Sequence, residues 1–104
     1  MTEASVLTLE ILSGPLDGEK VKLQQATEWT RAGTGVLSFP WDEQLGAPQA
    51  RLVPGPEGWT LAPLDAPQAT SLINRDQKVS EPVRLETGDV IRAGTSWLRV
   101  LASE

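Results

Sequence analysis

Asp42-Glu43 is the one pair of adjacent carboxylates in this chain. A pair used in glycoside hydrolysis or for Mg²⁺ needs further groups converging on it, and none is spaced to do so. Ser38 and Ser71 are candidate nucleophiles by type, but the sequence contains no His to activate them and no Gly-x-Ser-x-Gly elbow. Cys is absent as well, which removes thiolate nucleophiles, zinc thiolates and disulfides. Gly33-Thr34-Gly35 has backbone N–H groups suited to a phosphate, yet neither a helix pattern nor a Lys in register follows, so a tight turn is expected. The stretch Gly14 to Lys20 has the wrong spacing for a phosphate loop and is expected to be a hairpin turn. Arg31 carries a guanidinium fork able to grip an oxyanion, or to pair with a neighbouring carboxylate while its stem packs. This inventory points away from catalysis, away from a bound metal or cofactor, and toward binding.

The elements that would position these residues are short. Eight Pro and nine Gly are scattered over 104 residues, which leaves little room for long helices. Leu7 to Ile11 alternates apolar and polar residues, turns at Ser13 to Gly18, and alternates again over Lys20 to Gln24. Further strands are expected at Glu28–Arg31, Val36–Phe39, Gln49–Val53, Trp59–Leu61, Leu72–Ile73, Val83–Leu85, Val90–Arg92 and Trp97–Leu101. Loops are expected at Pro40 to Pro48 and at Leu64 to Ser71, with a strong turn at Pro54 to Gly58. About ten to eleven short, mostly antiparallel strands make an all-β sandwich, in a single domain spanning residues 1–104 with its core in roughly 6–101.

Charge narrows the partner. Nine Lys and Arg against fourteen Asp and Glu give a net charge of −5, the wrong sign for a grip on nucleic acid or an anionic membrane surface. No apolar run approaches the length of a membrane helix, and Met1-Thr2-Glu3 does not read as a signal peptide, so a cytoplasmic location is expected. Of the four Trp, Trp29, Trp59 and Trp97 lie within alternating strands and are expected in or at the edge of the core. Trp41, in Phe39-Pro40-Trp41-Asp42-Glu43, either tucks over the sandwich edge in phase with Leu37 and Phe39 or anchors a partner.

Three motifs in order resemble the forkhead-associated (FHA) domain family. Leu12-Ser13-Gly14-Pro15-Leu16-Asp17-Gly18 is similar to the family's first hairpin. Leu85-Glu86-Thr87-Gly88-Asp89-Val90-Ile91-Arg92-Ala93-Gly94 resembles its Leu-x-x-Gly-Asp-x-Ile-x-x-Gly signature. Gln49-Ala50-Arg51-Leu52, followed by Gly58-Trp59-Thr60-Leu61, stands where the family has its His-Ala strand and the next one. The resemblance implies an eleven-strand sandwich that binds a phosphothreonine peptide with loops at one end, using an Arg fork, a Ser hydroxyl and a peptide-holding Asn.

Carried over position by position, the resemblance implies a degenerate site. The family's Gly-Arg corresponds to Thr30-Arg31, its Ser to Gly46, its His to Gln49 and its Ser-x-Asn-Gly-Thr loop to Pro67-Gln68-Ala69-Thr70-Ser71. Arg31 is retained, whereas Gly46 and Ala69 lack the donor and the amide; the later Asn is kept as Asn74, with a turn role expected. Each lost bond to a charged group costs about 1.5–3 kcal/mol, enough in pairs to abolish a micromolar peptide site. The candidate partner-binding residues are therefore Arg31, Trp41, Gly46, Gln68, Ala69, Thr70 and Ser71. The expected function is a phosphate-independent protein-interaction or scaffolding module, similar to degenerate FHA domains in the cytoplasmic subunits of bacterial type III and type VI secretion machines or in signalling assemblies. Two alternatives stay open: a phosphothreonine reader with an altered site built on Arg31, Thr70 or Ser71, and a non-catalytic regulatory domain of an enzyme complex. The partner is expected to be a protein, with homo-oligomerisation left open.

Overall fold

The computed structural model describes residues 6–33, 35–56, 58–64, 66 and 69–103. Ten strands form two antiparallel sheets: β1 Leu7–Ile11, β2 Lys20–Leu23, β3 Thr27–Trp29, β4 Ala50–Gly55, β5 Gly58–Pro63, β6 Thr70–Leu72, β7 Gln77–Val79, β8 Val83–Arg84, β9 Val90–Ala93 and β10 Ser96–Ser103. One sheet runs β2-β1-β10-β9-β6-β7 and the other β3-β4-β5-β8. The sandwich expected from the alternation is the fold observed.

Alternation decides which side chains meet between the sheets. Leu7, Leu9 and Ile11 of β1, Leu52 of β4, Trp59 and Leu61 of β5, Ile91 of β9 and Leu98 and Val100 of β10 are buried, as is Trp29, whose ring meets Phe39 edge-on at 6.1 Å. The opposite positions of the six-stranded sheet project outward: Lys20 and Lys22 of β2, Thr8 and Glu10 of β1, Trp97 and Arg99 of β10, Arg92 of β9, Ser71 of β6 and Lys78 of β7. Trp97 is thus half-buried on the outer face under the Arg92 guanidinium, 5.6 Å from the ring centre, and not between the sheets.

Several elements depart from the sequence reading. Val36–Phe39 is not a strand. Gly35 and Pro40 bracket it closely, the Ser38 N–H turns back to the Gly35 carbonyl at 3.2 Å, and one parallel bridge, Thr30 to Ser38, is all the pairing it makes. Leu37 and Phe39 still reach the core. Thr70 and Ser71 belong to β6 instead of the preceding loop, and Ile73 opens a 3-10 turn, Ile73–Arg75, with its side chain exposed. Strand β7 carries too polar a sequence for alternation to betray it; it forms because Thr70, Ser71 and Leu72 present their ladder to Val79, Lys78 and Gln77.

The Gly-Asp signature has a structural cause. Asp89 is buried, and its carboxylate accepts from Asn74 Nδ2 at 2.8 Å, Arg75 Nε at 3.0 Å and the Glu86 N–H at 2.8 Å, while Asn74 Oδ1 takes the Val90 N–H at 2.8 Å. Burial would raise this carboxyl, but the Arg75 and Asn74 hydrogen bonds, with the Glu86 N–H and the Arg75 charge, outweigh it and hold it below the usual carboxylate range. Asn74 therefore ties the 3-10 turn to the start of β9, which is more than the simple turn role expected of it.

Candidate functional site

Strand direction gathers five connections at one end of the sandwich: the β1–β2 turn, the long segment between β3 and β4, the β5–β6 loop, the exit from β7 and the β9–β10 hairpin. Of the candidate binding residues, Arg31, Trp41, Gly46, Ala69, Thr70 and Ser71 lie in or beside these connections. Gln68 lies outside the described residues.

The β3–β4 segment is nailed down at Asp42. Its carboxylate is 1% exposed and accepts from Ser96 Oγ at 2.6 Å, the Thr95 N–H at 3.0 Å and the Gln44 N–H at 3.0 Å. Desolvation pushes its pKa up, but the bonds from Ser96, Gln44 and Thr95 prevail and leave it lowered. This arrangement explains the closing Gly of the signature. Gly94 has φ of +58°, and a Cβ there would stand 2.8 Å from Asp42 Oδ2. Asp42 is therefore a buried tie between two loops, whereas Glu43 beside it is exposed.

Trp41, next to this tie, is half-buried. Its ring stacks on Phe39 with centroids 4.9 Å apart and planes 21° from parallel, and its indole edge lies so near Gly14 that a Cβ there would be 2.6 Å from Nε1. The side chain is tucked over the sandwich edge, against the core.

Gly46 is buried and committed on both sides. Its N–H donates to Gln49 Oε1 at 2.8 Å, and its carbonyl accepts the Arg31 N–H at 2.9 Å. A Cβ at this position would meet the Ala66 Cβ at 2.6 Å and the Pro48 carbonyl at 2.9 Å. Gln49 also donates from Nε2 to Thr70 Oγ1 at 3.0 Å, so one buried amide links the β3–β4 segment to β6. Two roles were open to Arg31, gripping an oxyanion or pairing with a carboxylate, and the second is not seen. Instead its Nε donates to the Leu45 carbonyl at 3.2 Å, and it forms no ion pair among the described residues.

The structure thus joins Arg31, Gly46 and Thr70 through backbone bonds and Gln49, and sets exposed Ala69 beside them. A shallow cleft of about 310 Å³ runs along Gln49, Leu64, Ala66, Ala69, Thr70 and Lys78. Ser71 faces the outer side of the sheet, and Trp41 faces the β1–β2 turn, so neither lines this cleft. Sequence reasoning missed Lys78, which reaches the cleft from β7. Among the described residues, no group of three acidic, Cys or His side chains converges to hold a metal.

Solved structures that superpose on this chain include FHA domains. One, from work on phosphothreonine-dependent FHA domain interactions, superposes with a TM-score of 0.78 at 25% identity, covering 94% of this chain and 96% of its own. The chain has the forkhead-associated fold. The FHA domain of FhaA, solved in complex with the intracellular domain of Rv3910, gives 0.76 at 24% identity over 90% of this chain and 98% of its own. An Arabidopsis thaliana FHA domain gives 0.80 at 19% identity over 96% and 90%. No family model matches the sequence, and no curated protein matches it significantly. Among the described residues, no helix is long and apolar enough to cross a membrane.

Proposed function

We propose that this FHA domain is a protein-interaction module that binds its partner without reading phosphothreonine. Gly46 carries the reading. At the position where the resemblance calls for a Ser hydroxyl, the residue has no side chain, its N–H is spent on Gln49, and Ala66 and Pro48 close the space a side chain would need. A phosphate arriving near Arg31 would find one guanidinium with no second donor from Gly46 or Ala69. The FhaA FHA domain was solved in complex with the intracellular domain of Rv3910, which supports a protein as the ligand here. The module binds and does not catalyse, and it acts as a scaffold in a cytoplasmic bacterial secretion or signalling assembly, with Arg31, Gly46, Gln68, Ala69 and Thr70 at the contact end.

The test is a titration with threonine peptides and their phosphothreonine counterparts at near-physiological salt. Equal affinities are expected. One observation favours the rival reading of an altered phosphothreonine reader: the Arg31 side chain is exposed at this end. Phosphate-dependent binding that disappears in Arg31→Ala would establish that rival and overturn the proposal.

A further inference from the structure

The charges of this acidic chain are sorted by face. Five of its nine cations, Lys20, Lys22, Lys78, Arg92 and Arg99, project from the outer face of the six-stranded sheet. One of its fourteen acids, Glu10, projects from the strands there, and it is taken by Arg99 at 3.5 Å. The other four cations and the nine other described acids lie outside these outward strand positions, with Asp76 at the β7 edge lining a depression beside Ser71 and Lys78. Lys20, Lys22, Lys78 and Arg92 have no carboxylate partner among the described residues.

Register turns these cations into a band. Ser71 stands directly opposite Lys78 on one side and Arg92 on the other, and Arg92 stands opposite Trp97. Two residues further along, Arg99 is opposite Glu10, and Glu10 opposite Lys20, with Lys22 beyond. The band therefore crosses the sheet obliquely from β7 to β2. At its β7 end a depression of about 270 Å³ is lined by Ala69, Ser71, Lys78, Arg92, Ala93 and Gly94. It offers two cations flanking a hydroxyl donor, with the Arg92 guanidinium laid over Trp97 and so held in place. Lys78 and Ala69 line both this depression and the cleft at the loop end.

We propose that the outer face of the six-stranded sheet is the docking surface for an extended, acidic, unphosphorylated segment of a partner protein. One carboxylate would seat between Lys78 and Arg92 on Ser71, and the chain would run across the sheet toward Lys20 and Lys22. This deepens the reading of the domain as a phosphate-independent interaction module and rests on it. Length favours a short segment over a longer polyanion. Six strands at about 4.8 Å spacing span about 24 Å, the reach of about seven extended residues. A nucleic acid or a membrane surface extends beyond that and meets the acids that dominate the rest of the chain, within a screening length of about 8 Å at physiological salt.

The probe is a fluorescent oligo-glutamate peptide of about seven residues, titrated into the whole chain by anisotropy, with amide shifts mapped by NMR. Expected are binding that weakens with salt, shifts at Ser71, Arg92 and Trp97, an affinity loss of about tenfold or more in Lys78→Glu/Arg92→Glu, and a smaller loss in Lys20→Glu/Lys22→Glu. Arg84→Gln, on β8 of the other sheet, leaves peptide binding unchanged. Thermal midpoints check folding, and Lys78→Gln/Arg92→Gln replaces the reversal variant should that one unfold. The proposal is overturned by no binding at low salt, by undiminished binding to the variants, by duplex DNA or anionic vesicles binding as tightly as the peptide, or by sedimentation showing that a second copy of the chain covers the face. The phosphothreonine comparison is read at Arg31 and the acidic-peptide titration at Arg92, which does not line the loop-end cleft, so the two readings can fall separately.

Discussion

Replacing Asp42 by Ala should destabilise the domain by about 2–5 kcal/mol at neutral pH. The carboxylate satisfies three donors from two loops. Ser96 is buried, and without Asp42 its hydroxyl bears most of a desolvation penalty of about 1–3 kcal/mol. Thr95 and Gln44 are exposed residues whose N–H groups regain water in part, adding about 0.5–1.5 kcal/mol each. Such a loss is a large fraction of the roughly 5–15 kcal/mol that holds a domain of this size together. The assay is urea unfolding followed by Trp fluorescence, at neutral pH and at a series of acid values. The pKa of Asp42 is lowered in the folded state. Its contribution is therefore complete above the unfolded carboxylate pKa of about 3.9 and is lost as pH falls through the lower folded value. The gap between wild type and Asp42→Ala should shrink below about pH 4, leaving Asp89 to carry the remaining acid sensitivity. A stability within about 0.5 kcal/mol of wild type at neutral pH, or a gap that does not change with pH, would refute the reasoning, because a simple cavity has no titration.

Two further outcomes follow from the loop end. Gly46→Ser, alone or with Ala69→Asn, should cost about 1–3 kcal/mol in chemical denaturation through overpacking against Ala66 and the Pro48 carbonyl, without creating phosphate-dependent peptide binding; a gain of phosphothreonine affinity in the double variant would show that the site is degenerate by side chain alone. Trp41→Ala should lower stability by about 2–3 kcal/mol through loss of the Phe39 stack and the Gly14 contact, with partner binding by the folded fraction unchanged; a partner affinity that falls while the thermal midpoint holds would make Trp41 a contact residue instead.

The sandwich was legible in the sequence because strands with one buried face write themselves as alternation, and Leu7 to Ile11 and Lys20 to Leu23 do so plainly. The order of the three family motifs was equally local, since turn residues act over a few positions. Strand β7 and the single bridge at Ser38 were not legible, because a strand at a sheet edge or a lone pairing needs only a partner's ladder and no apolar pattern of its own. The loss of a hydroxyl at position 46 and of an amide at position 69 could be read from residue types. Tertiary structure alone decided that the Gly46 N–H is already spent, because Gln49 Oε1 and the walls at Ala66 and Pro48 arrive there by folding. It alone turned Asp42 from a loop acid into a buried tie to residues more than fifty positions away. Net charge was fixed at −5 by composition, but the basic band exists only because β2, β10, β9, β6 and β7, distant in sequence, align in one sheet with their alternate positions facing the same way.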